Sequence, residues 1–486
     1  MQTPLAPIMD NLYLDTYYFF VPNRLVWEHW KQFNGENTES AWLPQTEYSV
    51  PQITAPAETG WTVGTIADYF GIPTGVPGIS VNALPFRAYA LICNEWFRDQ
   101  NLCDPLNIPV SDATVVGVNT DTFVTDVAKG GKPYKAAKFR DYFTSCLPAP
   151  QKGPDVGIGL TGSFPVMPSA NKNDPNGVPL TWAKLSDGTA AGNDGLLYGT
   201  YAGTNSRKTD AYSTNSVDVY PNNLSVDLGG ANMITINALR LAFQMQKLYE
   251  KDARGGTRYI EILKAHFGVT SPDSRLQRPE YLGGNRIPIN IDQVVQTSGT
   301  VTGSTPQGNT AAYSLTTDYH SDFTQSFVEH GFVIGLMVAR YDHTYQQGLA
   351  RQWSRKTRFD YYWPVLANIG EQAVLNKEIY CDGSSKDNEV FGYQEAWADY
   401  RYKPSLCTGE MRSTYAQSLD VWHLGDDYST LPKLSASWIQ EDKSVVDRVL
   451  AVTSVNANQL FADIYIKNTT TRPMPLYSIP GLIDHH

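Results

Sequence analysis

The chain has 486 residues, of which 42% are hydrophobic, 12% aromatic and 18% charged, with 38 Gly, 30 Pro and 29 Tyr. This composition supplies ample apolar material for a core and points to an all-β dominated fold of short strands joined by many turns. The net charge of -11 excludes a uniformly basic nucleic-acid binder, so any such contact must be local.

No apolar run approaches the length of about eighteen residues that a membrane helix needs, and the first ten residues lack a basic stretch followed by an apolar one. The expectation is a soluble, unsecreted protein. Cys93, Cys103, Cys146, Cys381 and Cys407 are scattered, odd in number and free of any CxxC pair, which argues for reduced thiols over disulfides or zinc.

In chain order, residues 11–21 (NLYLDTYYFFV) are rich in aromatics and β-formers up to Pro22 and predict a strand. Trp27, Trp30 and Phe33 lie at helical spacing and stop near Gly35. Prolines 44, 51, 56, 73 and 77 restrict residues 43–78 to loops and short strands. Leu84, Ala88, Leu91, Ile92 and Trp96 predict a helix within 82–100, with Pro85 in its first turn.

From about 148 to 228, Gly, Asn, Asp, Ser, Thr and Pro dominate and apolar periodicity fades. A loop region of that length is expected to be functional, and 154–228 is read as a surface insertion between core segments 1–153 and 229–486. Ile236, Leu239, Phe243 and Leu248 predict an amphipathic helix over 232–254, stopped at Gly255-Gly256. A second helix over 258–267 carries Ile260, Leu263 and Phe267 and ends at Gly268. Apolar alternation at Ile287, Ile289 and Ile291, over 327–339 and over 451–466 predicts further strands. No repeat with a period of 20 to 50 residues is found.

Catalytic motifs are wanting. Gly157, Gly159 and Gly162 match GxGxxG, but Pro165 and Pro168 forbid the helix that would aim amides at a pyrophosphate. Residues 171–177 (NKNDPNG) open like a calcium loop, yet a proline interrupts them and no bidentate Glu closes them. His343 beside Asp342 reads as a satisfied structural residue, and His485-His486 as a frayed end. A carbohydrate-active β-protein is the main alternative, since Trp and Tyr stack on sugars. Its one conspicuous carboxylate pair, Asp426-Asp427, consists of chain neighbours that rarely face one bond. A tail or adhesin module would show repeats. No cofactor or metal is implied, and no enzyme activity.

Two basic clusters stand out. Lys129, Lys132, Lys135, Lys138 and Arg140 are interleaved with Tyr134 and Phe139; Arg351, Arg355, Lys356 and Arg358 accompany Trp353 and Phe359. Cations neutralise phosphates while aromatic faces stack on unpaired bases, so both clusters are candidates for contact with single-stranded nucleic acid.

Several long strings, in order along nearly the whole chain, resemble the major capsid proteins of microviruses, specifically the gokushovirus-like branch. They are PIMDNLYLDTYYFFVPNRLVWEHW (7–30), CLPAPQKGP (146–154), INALRLAFQMQKLYEKDARGGTRYIEILKAHFGVTSPDSRLQRPEYLGG (236–284), FVEHGFVIGLMVARYDHTYQQGL (327–349), FDYYWPVLANIGEQAVLNKEIY (359–380), FGYQEAWADYRYKPS (391–405) and the closing RPMPLYSIPGLIDHH.

The resemblance implies an eight-stranded antiparallel viral jelly roll with large loop insertions and a few short helices. It further implies a non-catalytic shell subunit of a bacteriophage virion, forming the smallest icosahedral capsid around a circular single-stranded DNA genome and assembled in the bacterial host cytoplasm. The implied partners are copies of the chain itself, the genome, a small basic DNA-binding protein, pilot-type minor proteins and a host surface receptor. The 154–228 insertion falls where this branch is thought to build a protrusion at the threefold axes, making Asn171, Asn173, Asn176, Trp182, Tyr198 and Tyr201 candidate host contacts. Family members usually carry a leading segment with a further strand ahead of the DNLYLDTYYFFVP-like stretch. In this chain nine residues precede it, which implies a late start or an incomplete fragment; with that strand missing, one jelly-roll edge would be open.

Overall fold

The computed structural model describes residues 1, 3–38, 46–154, 156, 166–168, 182–184, 197–202, 206–211, 219–221, 224–226, 236–300, 302–303 and 306–472. It divides into two compact units, Met1–Lys152 with Lys251–His486, and Gly153–Glu250. The division falls inside the helix Ile236–Gly255.

The larger unit is organised by the strand Leu12–Pro22. Its alternation puts Tyr13, Asp15, Tyr17, Phe19 and Val21 on one face and Leu14, Thr16, Tyr18 and Phe20 on the other. It pairs antiparallel with Gly331–Tyr341 along its whole length, from Leu12 opposite Tyr341 to Pro22 opposite Gly331. On its other side it pairs with Glu280–Gly283 and Arg286–Pro288. Gly284, between those two strands, leaves no room for a side chain, because a Cβ there would lie 2.0 Å from the Thr16 carbonyl oxygen. Gly331–Tyr341 is an edge: among the described residues it pairs with no other strand.

The inner face of this sheet closes over the largest core, where Phe19 and Val21 meet Trp27, Ile53, Trp61, Leu84, Phe86 and Ile92. The helix Leu84–Ile92 begins with Pro85 in its first turn and continues into a π turn, Cys93–Phe97. Its Arg87 is fully buried and donates to the carbonyls of Val26 (3.1 Å) and Ser111 (2.9 Å), a buried cation held by backbone dipoles through its two terminal nitrogens while its Nε has no hydrogen-bond partner among the described residues. Two satellite cores follow, one around Tyr142, Phe143, Tyr345, Val374 and Phe391, the other around Leu12, Tyr341, Leu424 and Leu450. The pair Glu371–Leu375 with Val390–Glu395 supports the first of them.

The helix over Trp30–Phe33 ends at Gly35, with φ of 95°. Tyr259–Phe267 is capped at its start by the Glu261 carboxylate on the Arg258 amide (3.1 Å) and stopped by Gly268 at φ 70°. In the long helix, however, Phe243 and Leu248 are exposed. The alternation at 287–291 is divided between two strands, Arg286–Pro288 and Ile291–Val295. No strand forms over 451–466: beyond the buried Gln459, residues 461–472 are exposed and outside any regular element. The fold is thus dominated by β-pairing with few helices.

In the smaller unit, Val166–Pro168 pairs with Leu224–Val226, Trp182–Lys184 with Val219–Pro221, and Leu197–Ala202 with Ser206–Ala211, all antiparallel. The pairs are nested in sequence, each enclosing the next. The GxGxxG stretch at 157–162, the 171–177 turn and His485-His486 lie outside the described residues.

Candidate nucleic-acid interface and buried charge network

The 351–366 segment is a run of short 3-10 turns, Arg351–Ser354, Arg358–Asp360 and Pro364–Leu366, and it sorts its cations into two kinds. Arg351 turns inward to the Glu378 carboxylate at 2.9 Å and to Gln372 Oε1 at 3.2 Å. Glu378 is buried and also accepts the Tyr142 hydroxyl at 2.9 Å. Arg355 pairs with Asp399 and stacks 4.3 Å from the Tyr400 ring. These two guanidiniums are already compensated, so their role is to hold the loop.

Lys356 and Arg358 are exposed, and among the described residues neither pairs with a carboxylate. The nearest acid, Asp360, is occupied by the amides of Thr357 (2.7 Å) and Lys356 (2.9 Å), which hold its carboxyl below the usual range. Around these cations stand exposed rings: Trp353 (72% exposed), Phe359 (63%), Tyr361, Tyr362 and Trp363. Arg358 lies 4.8 Å over Phe359, and Trp363 Nε1 donates to the Arg358 carbonyl at 2.8 Å, so the rings are held in place. An open cleft of about 320 Å³ adjoins them, lined by Ser354, Arg355, Phe359, Gln372 and Trp397 among others.

The other basic cluster is dispersed. Lys132 Nζ donates to the Val63 carbonyl at 3.3 Å, and Arg140 pairs with the buried Asp99 at 2.7 Å. Lys138 is nearly buried, 4.6 Å over the Trp438 ring and 3.9 Å from Asp426. Lys135 is exposed. Of the candidate host contacts, Trp182 lies in the strand Trp182–Lys184, and Tyr198 and Tyr201 in Leu197–Ala202. Asn171, Asn173 and Asn176 lie outside the described residues.

Lys138 leads to a buried charge network. His343 Nδ1 is 3.0 Å from Asp426 Oδ1 and its Nε2 is 3.4 Å from Glu441. Asp426 also accepts the hydroxyls of Tyr428 (2.6 Å) and Tyr341 (3.1 Å). Burial alone would lower the His343 pKa, but the carboxylates of Asp426 and Glu441 outweigh it and raise the value to about 9. Burial opposes ionisation of Asp426 as well, and His343 and Lys138 nonetheless bring it down to about 2. His343 is therefore a buried imidazolium locked between two acids. Asp427 is turned to Gln347 Nε2 at 2.9 Å, so the adjacent acids serve different partners.

A second network escaped sequence reasoning. Asp15 is buried on the core face of the first strand and accepts from Arg286 Nε and Arg340 Nη2, each at 2.6 Å. Both guanidiniums stack 4.3 Å from Phe139. The signal available was the lone acid at an inward position among Tyr13, Tyr17 and Phe19. Among the described residues, no cluster of His, Cys, Asp and Glu could hold a metal ion, and no helix is long and apolar enough to cross a membrane.

These buried ion pairs and hydrogen bonds brace the loops that carry them. In keeping with that, the family model described as capsid protein (F protein) matches residues 1–482. The chain belongs to this capsid protein family. It is 47% identical over 485 residues to capsid protein VP1 of Spiroplasma virus 4, covering 99% of this chain and 87% of that one. It is 44% identical over 485 residues to capsid protein VP1 of Bdellovibrio phage phiMH2K, again covering 99% and 87%. With capsid protein VP1 of Chlamydia phage 1 it shares 42% over 533 residues, 99% of this chain and 88% of that one. As a microvirus-type capsid protein the chain is a structural, self-assembling component of the virion and not an enzyme. A capsid subunit has a use for the buried ion pairs: they fix loop positions that are repeated by symmetry in every copy.

Proposed function

We propose that this capsid protein forms the smallest icosahedral shell, enclosing a circular single-stranded DNA genome, and that the 351–363 loop faces the genome. The observation that carries the genome contact is the pair of uncompensated cations, Lys356 and Arg358, set among five exposed aromatic rings. Cations engage phosphates, and exposed rings stack on bases of any sequence, which suits a lining that must accept a whole genome. The net charge of -11 means that the subunit cannot neutralise the DNA by itself, which supports a small basic DNA-binding protein as partner. Pilot-type minor proteins complete the proposed particle, and assembly is assigned to the host cytoplasm.

The antiparallel pairing of the first strand with one more than three hundred residues later supports an eight-stranded jelly roll with long insertions, since such sheets tolerate loops without disturbing their packing. The nested pairs within 166–226 support 154–228 as a surface insertion, with core segments 1–153 and 229–486. A chain that runs out and returns beside itself makes a projecting ladder, and here it would form the threefold protrusion that meets the host receptor. Tyr198 and Tyr201 lie in the innermost pair, opposite Asp210 and Arg207.

The test is DNA retention by purified particles against salt. Replacing Lys356 and Arg358 together with Ala should lower the slope of log affinity against log salt by about 1.4, or about 0.7 per lost phosphate contact on a single strand. An unchanged slope would remove this loop from the genome-facing surface.

A further inference from the structure

We infer that residues 461–472 form an exchanged arm, which adds as a strand to the outer edge of Gly331–Tyr341 in a second copy of the chain. The last interior contact before the arm is Gln459, buried and donating from Nε2 to the Lys443 carbonyl at 2.7 Å. Every residue from 461 to 472 is then exposed, and among the described residues none of them makes a backbone-to-backbone hydrogen bond. The composition is that of a strand: Phe461, Ile464, Tyr465 and Ile466 are 75, 58, 87 and 62% exposed. The alternation places Ala462, Ile464 and Ile466 on one side and Asp463, Tyr465 and Lys467 on the other. Four large apolar side chains and a row of unpaired amides on one arm do not stay in water in a subunit whose work is self-association.

The matching surface is the free side of Gly331–Tyr341. This strand is eleven residues long and, among the described residues, pairs only with Leu12–Pro22, so half of its amides and carbonyls point away from the sheet with no described strand to meet them. Its core-facing Phe332 and Leu336 pack on the main core yet remain half-buried, as expected at an open margin. At about 3.3 Å per residue the arm spans about 40 Å and the edge about 36 Å, so one covers the other. Docked there, Ile464 and Ile466 would extend the apolar layer beside Phe332 and Leu336. The occupant is a second copy because the chain's own arm does not pair with its own edge, while the family assembles from identical subunits. This inference rests on shell assembly alone and not on the genome contact, so empty particles serve as well as filled ones.

The experiment is hydrogen exchange with mass spectrometric readout on purified particles and on subunits dissociated from them. The expected result is that amides of 461–472 and the outward half of those in Gly331–Tyr341 exchange on the order of a hundredfold more slowly in particles than in subunits. Ile464→Asp with Ile466→Asp should leave the melting temperature of the subunit unchanged and abolish shell closure. Protection of the edge already in dissociated subunits, protection of the arm without the edge, or normal shells from the double variant would each overturn the inference.

Discussion

Replacing Asp426 with Asn tests whether the buried charge network stabilises the subunit. The substitution preserves shape but removes the charge that His343 meets at 3.0 Å and that Lys138 approaches at 3.9 Å, while leaving Glu441 at 3.4 Å from the other side of the ring. Breaking one side of a buried ion pair costs about 3 to 5 kcal/mol, a large share of a typical domain's stability. The pH dependence gives an independent reading. The folded subunit holds the His343 proton up to about pH 9, and the unfolded chain releases it near 6.5. Between these values the folded state binds more protons, so stability falls as pH rises. The contribution is whole below 6.5 and declines by roughly 2 to 3 kcal/mol on reaching pH 9. Urea unfolding of dissociated subunits across that window should show this decline in the wild type and a flattened one in Asp426→Asn. Tyr428→Phe, which removes the hydrogen bond to Asp426 and the one the hydroxyl accepts from Trp438 Nε1, should cost about 1 to 3 kcal/mol and keep the wild-type slope. A loss below about 1 kcal/mol for Asp426→Asn, or a slope equal to the wild type's, would refute the reasoning.

The two kinds of cation in the 351–363 loop should separate cleanly. Arg351→Ala strands the buried Glu378 and should destabilise the subunit by about 3 kcal/mol in a thermal melt, whereas Lys356→Ala should change stability by less than about 0.5 kcal/mol. Asp15→Asn leaves the Arg286 and Arg340 guanidiniums facing each other without their acid and should cost about 2 to 3 kcal/mol, discounted because Arg286 is half exposed. Gly284→Ala would drive a Cβ into the Thr16 carbonyl and should lower the yield of folded subunit, measured by near-ultraviolet circular dichroism. A thiol reagent should modify Cys381 ahead of the other four cysteines, which should react only on unfolding: Cys381 is exposed, although desolvation and the Asp387 hydrogen bond raise its pKa, whereas the other four are buried, and burial lifts the pKa of Cys93 to about 12.

Much of the local structure was legible in the sequence, because strand alternation and helix stops are written in neighbouring residues. The first strand announces itself through its aromatics and Pro22, and Gly256 and Gly268 end their helices in conformations that favour glycine. The site was legible only in part. Arg351 and Arg355 look like free cations in the sequence, yet their acids stand 27 and 44 residues further on, at Glu378 and Asp399. The partners of His343 are more distant still, at 83 and 98 residues. Pairing over such separations is set by chain topology, which local spacing does not encode. The alternation in 451–466 marks one apolar face but not which chain covers it, and the same holds for the exposed Phe243 and Leu248 of the long helix.

The most direct test of the central claim is electron microscopy of the purified, assembled protein. Uniform small icosahedral particles, with density for 154–228 outside the shell and the 351–363 loop lining its interior, are the predicted result. Monodisperse subunits that never close under any assembly condition, or shells with that loop on the outer surface, would contradict it.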